Sequence, residues 1–187
     1  MIDYFALLDL ERRPAIDEES LKKTYFHRTE LLRLDQSDAD AFSSLNMAFR
    51  IISNPAMRIQ HLLTLAFGDA RGGRIKSDLG DLFGSVVETL QKVDQEFGSL
   101  SAESSALVRA LTFQRMGEAR ERLEQTESEL LQRELSLRSE IGPLDEVWRE
   151  DPARSRESLA QVALSLIFVQ KWLSEVRERK IRLAELA

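Results

Sequence analysis

Cysteine is absent from this 187-residue sequence, and histidine occurs only twice. The absence of cysteine excludes disulfide bonds, thiolate metal sites and cysteine nucleophiles. Carboxylate metal sites in helical bundles use Glu-x-x-His pairs. Here Thr24 and Arg58 occupy the positions three residues before His27 and His61. We therefore expect no metal ion and no other cofactor on this chain.

Glycine, proline and aromatic residues are also scarce. The sequence has eight glycines and four prolines, and aromatic residues make up 7% of it. Charged residues reach 31%, and no segment shows the apolar-polar alternation of a strand. This composition favours helices, because exposed helix faces accommodate many Glu, Arg and Gln side chains. We predict an all-α fold made of one domain or two small ones.

An excess of positive charge, long apolar runs and the features of a targeting segment are missing as well. The net charge of −6 argues against general nucleic-acid binding. No uninterrupted run approaches the ~18 apolar residues of a membrane span. The opening residues, MIDYFALLDLERRP, have no basic region of the kind that begins a signal peptide. We expect a cytoplasmic protein that binds neither nucleic acid nor membrane.

Catalytic motifs are not visible in the sequence. The glycines near residue 70 lack the GxxxxGK[ST] pattern of a phosphate-binding loop, and no local Ser-His-Asp motif is present. Carboxylates recur beside arginines at helical spacing, which is typical of ion pairs on a solvated helix face. These carboxylates are Glu118, Glu121, Glu124 and Glu127. We expect a protein that acts by binding and is not an enzyme.

The first 67 residues predict a small group of four helices. After an apolar opening at 4–10, Asp17 is a good N-cap for a helix from about Glu18 to Leu34. A further helix follows with apolar residues at spacings of three and four, and Pro55 begins the next one. The apolar stripe of that further helix comprises Phe42, Leu45, Phe49 and Ile52.

A glycine-rich segment, GDARGGRIKS, marks a boundary at residues 68–77. Beyond it, at 78–187, three long segments each carry one apolar stripe, and Gly142-Pro143 interrupts the second. Such segments predict an antiparallel three-helix bundle. The last stripe would serve equally well as the seam of a coiled coil, so a homo-oligomer is the alternative.

Two stretches carry a resemblance to a known family. The first is IDYFALLDLERRPAIDEESLKKTY, with Asp3-Tyr4-Phe5 at its start, and the second is SSLNMAFRIISNPAMRIQHLLTL. They resemble the HscB-type J-domain co-chaperones of iron–sulfur cluster assembly. The matching residues of the second stretch are Asn46, Ala48, Phe49, Pro55, Arg58, Leu62 and Leu63. The resemblance includes specific residue motifs over the first 65 residues. Beyond them it is limited to the pattern of helices.

The resemblance implies an adaptor with two binding sites and no cofactor. Its J-domain would contact a DnaK-type chaperone through Lys22, Lys23 and the turn after the second helix. J-domains need a His-Pro-Asp tripeptide there to stimulate the chaperone's ATPase, but this sequence reads Arg33-Leu34-Asp35. Either Arg33 replaces the histidine in docking, or the module no longer activates a chaperone. We expect reduced or absent stimulation, because guanidinium cannot accept a hydrogen bond and leucine does not fix the backbone.

The resemblance also implies a site for an iron–sulfur scaffold protein on the first helix after the linker. The matching region is DLFGSVVETLQ. We expect the site to draw on Leu82, Phe83, Val86 and Val87, with Glu88 as its polar member. The alternative is that all but one of the apolar four belong to the core. They cannot all face it, because together they cover a wide arc of the helix.

Overall fold

The chain is mostly helical in the part that the computed structural model describes, which comprises residues 1–34, 39–68, 77–100 and 106–185. No strand occurs in these ranges, so the predicted all-α class is confirmed. The helices are α1 (Tyr4–Leu7), α2 (Glu18–Leu34), α3 (Ala39–Ser53), α4 (Pro55–Phe67), α5 (Ser77–Leu100), α6 (Ala106–Ser139), α7 (Ile141–Glu150) and α8 (Pro152–Glu185).

The chain forms two compact units. The first unit comprises Met1–Arg74 and Leu137–Leu166, and the second comprises Ile75–Ser136 and Ile167–Ala187. This division differs from the expected one, which assigned 1–67 to one domain and all of 78–187 to another. The difference has a physical cause. Side chains of α7 bind the segment between α1 and α2, so α7 belongs with the N-terminal helices.

The helix starts of the first unit agree with the sequence. Asp17 caps α2, because its carboxylate accepts hydrogen bonds from the backbone N–H groups of Glu19 and Ser20 at 3.3 and 3.0 Å. Asn54 caps α4 in the same way, through Met57 N at 3.1 Å, and Pro55 is the first residue of α4. Within this unit α3 contacts α1, α2 and α4.

The predicted interruption at Gly142-Pro143 proves to be the start of a separate helix. α6 ends at Ser139, and α7 contains Gly142 and Pro143 in its first turn. Proline is tolerated there because the first N–H groups of a helix have no partner inside it. The region 78–187 therefore contains four helices in its described part, and the prediction of three was wrong.

The apolar stripes of the long helices form the interior. On α5 the buried residues are Leu79, Val86, Leu90, Val93 and Phe97. On α8 they include Leu159, Val162, Leu166, Val169, Leu173, Val176 and Leu183. The α8 stripe is thus buried within a single chain, which does not favour its use as the seam of a homo-oligomer.

α8 is also long and apolar enough to cross a membrane by length and composition. The helix has no long uninterrupted apolar run, because polar residues such as Gln161, Ser165 and Gln170 divide its apolar residues. However, 56% of that window is buried inside the protein, as in the core helix of a folded domain.

Candidate functional site

The exposed face of α2 carries the residues that the resemblance assigns to chaperone contact. Leu21 is the only residue of α2 among the described side chains that is fully buried. Lys22, Lys23 and Arg33 are all exposed. Lys23 Nζ lies 3.9 Å from a carboxylate oxygen of Glu19, and both side chains are at least 80% exposed. Solvent screens so loose an ion pair, which leaves the lysine available to a partner.

Only two of the three tripeptide positions lie among the described residues. Arg33 and Leu34 lie in the last turn of α2, which ends at Leu34, and Asp35 lies outside the described residues. A proline at position 34 would disfavour the helical conformation of the residue before it. Since leucine has no such effect, the helix extends through both positions.

Three large apolar side chains of the same helix are exposed. Phe26 is 66% exposed, Leu34 is 74% exposed and Leu31 is 45% exposed. The phenyl ring of Phe26 packs edge-on with the Tyr25 ring, with centroids 5.5 Å apart. The sequence-based predictions above do not include Phe26 as a surface residue. The sequence does carry a signal, because Leu21, Tyr25 and Leu32 form an apolar stripe on α2 at helical spacing and position 26 lies off it.

Several residues that carry the family resemblance hold α2 and α3 together. The Tyr25 ring stacks on Phe49 with a centroid distance of 4.2 Å. The Tyr25 hydroxyl donates to Asn46 Oδ1 at 2.6 Å. Arg28, which interrupts the apolar stripe, is 41% exposed and lies 3.9 Å from Asp9. It therefore reaches solvent and a carboxylate instead of entering the core.

Arg58 fixes the segment that precedes α2. It is 5% exposed, and it donates from Nε to Pro14 O and from Nη1 to Ile52 O, both at 2.8 Å. Burial lowers the pKa of the Arg58 guanidinium to about 10. The matching arginine of the resemblance motif thus has a structural role here.

Residues of α7 hold the same segment from another side. The carboxylate of Asp145 accepts from Arg13 at both oxygens and from the backbone N–H of Ala15 at 3.1 Å. Trp148 Nε1 donates to the carbonyl oxygen of Arg12 at 3.1 Å. The start of α2 is therefore positioned by contacts from both α4 and α7. No local pattern in the sequence indicates the α7 contacts.

The predicted scaffold-binding residues of α5 separate into core and surface. Val86 is fully buried, so it belongs to the core of the second unit and is removed from the candidate surface. Phe83 is 49% exposed, and Leu82 and Val87 are half-buried. Glu88 is exposed and accepts a hydrogen bond from Lys92 at 2.6 Å, which lowers the pKa of Glu88.

The exposed Phe83 belongs to an aromatic cluster of the second unit. Its ring centroid lies 5.4 Å from that of Trp172, which is buried and lies 5.9 Å from Phe168. Aromatic contacts of this kind fix the orientation of each ring. Phe83 therefore presents a half-exposed apolar ring to solvent, and the half-buried Leu82 and Val87 lie near it along α5.

No metal-binding group emerges within the described ranges, where no three or more His, Cys, Asp or Glu side chains are arranged to hold an ion. A cavity of about 480 Å³ in the second unit is lined by Met116, Gly117, Arg120, Glu124, Lys180, Leu183 and Ala184. Its cations are engaged in ion pairs, Arg120 with Glu124 at 2.9 Å and Lys180 with Glu127 at 2.6 Å.

Comparison with known proteins adds no assignment. No protein-family model, no curated protein and no solved structure matches the chain. The resemblance to the HscB-type family therefore depends on the motif residues quoted above.

Proposed function

We propose that this chain is an HscB-like adaptor that joins a DnaK-type chaperone to an iron–sulfur scaffold or another client, without the ATPase stimulation of an ordinary J-domain. One observation supports the proposed lack of ATPase stimulation. Arg33 and Leu34 have helical backbone conformation at the positions where a J-domain has histidine and proline. The chain lacks both the imidazole acceptor and the proline that would end α2 earlier.

The exposed face of α2 supports chaperone docking. It presents three cations, Lys22, Lys23 and Arg33, together with the apolar side chains of Phe26 and Leu34. Cations at the rim of an interface increase the association rate, whereas apolar side chains at its centre supply most of the affinity. We infer a partner surface that combines carboxylates with an apolar depression.

The surface of α5 supports client binding. Phe83 is held by Trp172 and remains half exposed, and rigid aromatic side chains are common anchors of protein interfaces. Leu82 and Val87 extend the apolar area, and Glu88 adds a charge at its edge. The client is a protein with a complementary apolar patch, as the resemblance to a scaffold-binding co-chaperone implies.

A calorimetric titration together with a single-turnover ATPase assay tests chaperone engagement. The cognate DnaK-type chaperone should bind the full chain, while its hydrolysis rate stays close to that of the chaperone alone. Combined Lys22→Glu and Lys23→Glu should weaken binding in the titration, because cations at the rim favour association, whereas reversal of the exposed Lys171 in the second unit should not. Stimulation equal to that of an ordinary J-protein, lost on Asp35→Ala, would contradict the proposal.

A second titration tests client binding with the purified iron–sulfur scaffold protein. Phe83→Ser should weaken binding at least tenfold, which corresponds to about 1.4 kcal/mol. Leu135→Ser is the matched control, because Leu135 is 67% exposed in the same unit but lies on α6. Equal effects of the two variants would remove the assignment of Phe83.

A further inference from the structure

His61 on α4 contacts the N-terminal helix through a hydrogen bond that depends on its protonation state. The backbone N–H of Tyr4 donates to His61 Nε2 at 3.1 Å. His61 is 9% exposed, so solvent gives it little alternative hydrogen bonding. An imidazole nitrogen accepts a hydrogen bond only when it carries no proton. The observed contact therefore requires a neutral His61 with its proton on Nδ1.

This hydrogen bond completes the N-terminal cap of α1. The first N–H groups of a helix have no partner within it. Asp3 Oδ1 accepts from Phe5 N and Ala6 N at 3.0 and 3.2 Å, and His61 accepts from Tyr4 N. The imidazole also packs against the Tyr4 ring at 4.8 Å and nearly parallel to the Phe5 ring at 5.8 Å. One side chain of α4 thus supports α1 by a polar contact and by stacking.

We infer that His61 is a proton-sensitive switch that controls the docking of α1. Protonation converts Nε2 from an acceptor into a donor, so that two N–H groups face each other. The contact with Tyr4 N then becomes repulsive, and the buried imidazolium lacks an acceptor at Nε2. Acidification therefore favours release of α1 from the first unit.

The charges that act on His61 set the pH range of this switch. Asp3 favours the imidazolium and Arg12 disfavours it. These two side chains form an ion pair with each other at 2.7 Å, so their effects on His61 offset in part. Burial is the larger influence and lowers the pKa of His61 below its ordinary value. His61 is consequently neutral in the docked state at neutral pH, and release begins under mildly acidic conditions.

Release of α1 would uncover a substantial apolar surface. Phe5 and Leu8 are both fully buried, and α1 contacts α3. Undocking exposes these two side chains and the surface of α3 beneath them. The released state thus differs from the docked state in its apolar surface as well as in the position of its N-terminus. This inference is independent of the proposed function.

Amide hydrogen exchange measured by NMR tests the switch on the full chain. In the released state His61 regains its ordinary pKa, so lowering the pH from about 7.5 to about 5.5 should favour release by up to about tenfold. After correction for the intrinsic exchange rate, protection of the Leu7 and Leu10 amides should fall by that factor. These amides donate to Asp3 O and Phe5 O within the docked turn. The Arg58 amide of α4 should keep its protection, which separates local release from unfolding of the unit.

Two variants make the experiment decisive. His61→Gln supplies an amide oxygen that accepts a hydrogen bond at every pH, so its α1 protection should not change between the two conditions. His27→Gln replaces the exposed histidine of α2 and should retain the wild-type response. An unchanged protection in the wild type, or the same loss in His61→Gln, would overturn the inference. If His61→Gln fails to fold, NMR titration of the wild-type imidazole decides. A pKa at or above 6.5 would then rule the switch out, and a lower value that coincides with the loss of α1 protection would support it.

Discussion

Arg13 and Asp145 are 132 residues apart in the sequence and form a two-point ion pair inside the first unit. Arg13 Nε donates to Asp145 Oδ1 at 3.1 Å, and Arg13 Nη2 binds the second carboxylate oxygen. The Asp145 side chain is 2% exposed, whereas that of Arg13 is 29% exposed. Because the carboxylate also accepts from Ala15 N, it fixes the backbone that leads into α2.

We predict that Asp145→Ala destabilises the protein by about 3 kcal/mol, since it leaves Arg13 and the Ala15 N–H without their acceptor. Urea denaturation followed by circular dichroism measures the change. Glu124→Ala is the control, because it removes an exposed i,i+4 pair with Arg120 and should cost less than about 1 kcal/mol. Similar costs for the two variants would show that the pair does not hold α7 in place.

A second prediction concerns the buried guanidinium of Arg58. Its removal in Arg58→Ala leaves the carbonyl oxygens of Pro14 and Ile52 without donors and opens a cavity, which should cost about 3 kcal/mol. Arg50 is the matched control, because it is exposed on α3 and its replacement by alanine should change stability by less than about 0.5 kcal/mol. Thermal denaturation of both variants provides the measurement.

Asp9 has a backbone conformation that is unfavourable for a residue with a side chain. Its φ angle is +54°, and it ends α1 with Asp9 N donating to Ala6 O and Leu10 N donating to Phe5 O. Glycine occupies this left-handed region without strain, so Asp9→Gly should raise the free energy of unfolding by about 0.5–1 kcal/mol. Asp9→Ala keeps the strain and removes the carboxylate near Arg28, so it should not stabilise. A lower melting temperature for Asp9→Gly than for Asp9→Ala would contradict this account.

The acid limb of the stability curve provides a further prediction. Hydrogen bonds from Arg177 and Lys180 lower the pKa of Glu127 in the folded state. The unfolded chain therefore takes up a proton at Glu127 at higher pH than the folded chain does. This contribution to stability is present above the ordinary glutamate pKa and is lost as the pH falls through the folded value. Glu127→Gln should flatten that part of the curve in denaturation experiments between about pH 3 and about pH 6. An unchanged slope would exclude Glu127 as a contributor.

The sequence predicts those parts of the fold that depend on neighbouring residues. The limits of α2, the Asp17 cap and the start of α4 at Pro55 follow from capping and from the conformational restriction of proline, and the structure agrees with all three. The apolar stripes of α5 and α8 follow from helical spacing, and their members are buried except for Leu82 and Phe83 on α5, which are half-buried and exposed.

The remaining features depend on contacts between distant segments. Asp145 stands in a short polar stretch without a local signal, and only the fold brings it to Arg13. Gly142 and Pro143 predict the end of a helix, because both residues are unfavourable in a helix interior. In the structure both lie in the first turn of the separate helix α7, where they are tolerated. The sequence does not show which side of α5 faces the core, so it does not distinguish the buried Val86 from the exposed Phe83. The exposure of Phe26 depends in the same way on which side of α2 faces the core.

The measurement that tests the central claim most directly is a single-turnover ATPase assay of the cognate DnaK-type chaperone with two forms of this chain. The account predicts that the wild type leaves the hydrolysis rate within about twofold of the chaperone alone, a difference of less than about 0.5 kcal/mol in the activation barrier. The variant that combines Arg33→His with Leu34→Pro restores the His-Pro-Asp tripeptide together with Asp35 and should raise the rate well above the wild type. Strong stimulation by the wild type that the double substitution does not increase would contradict the claim.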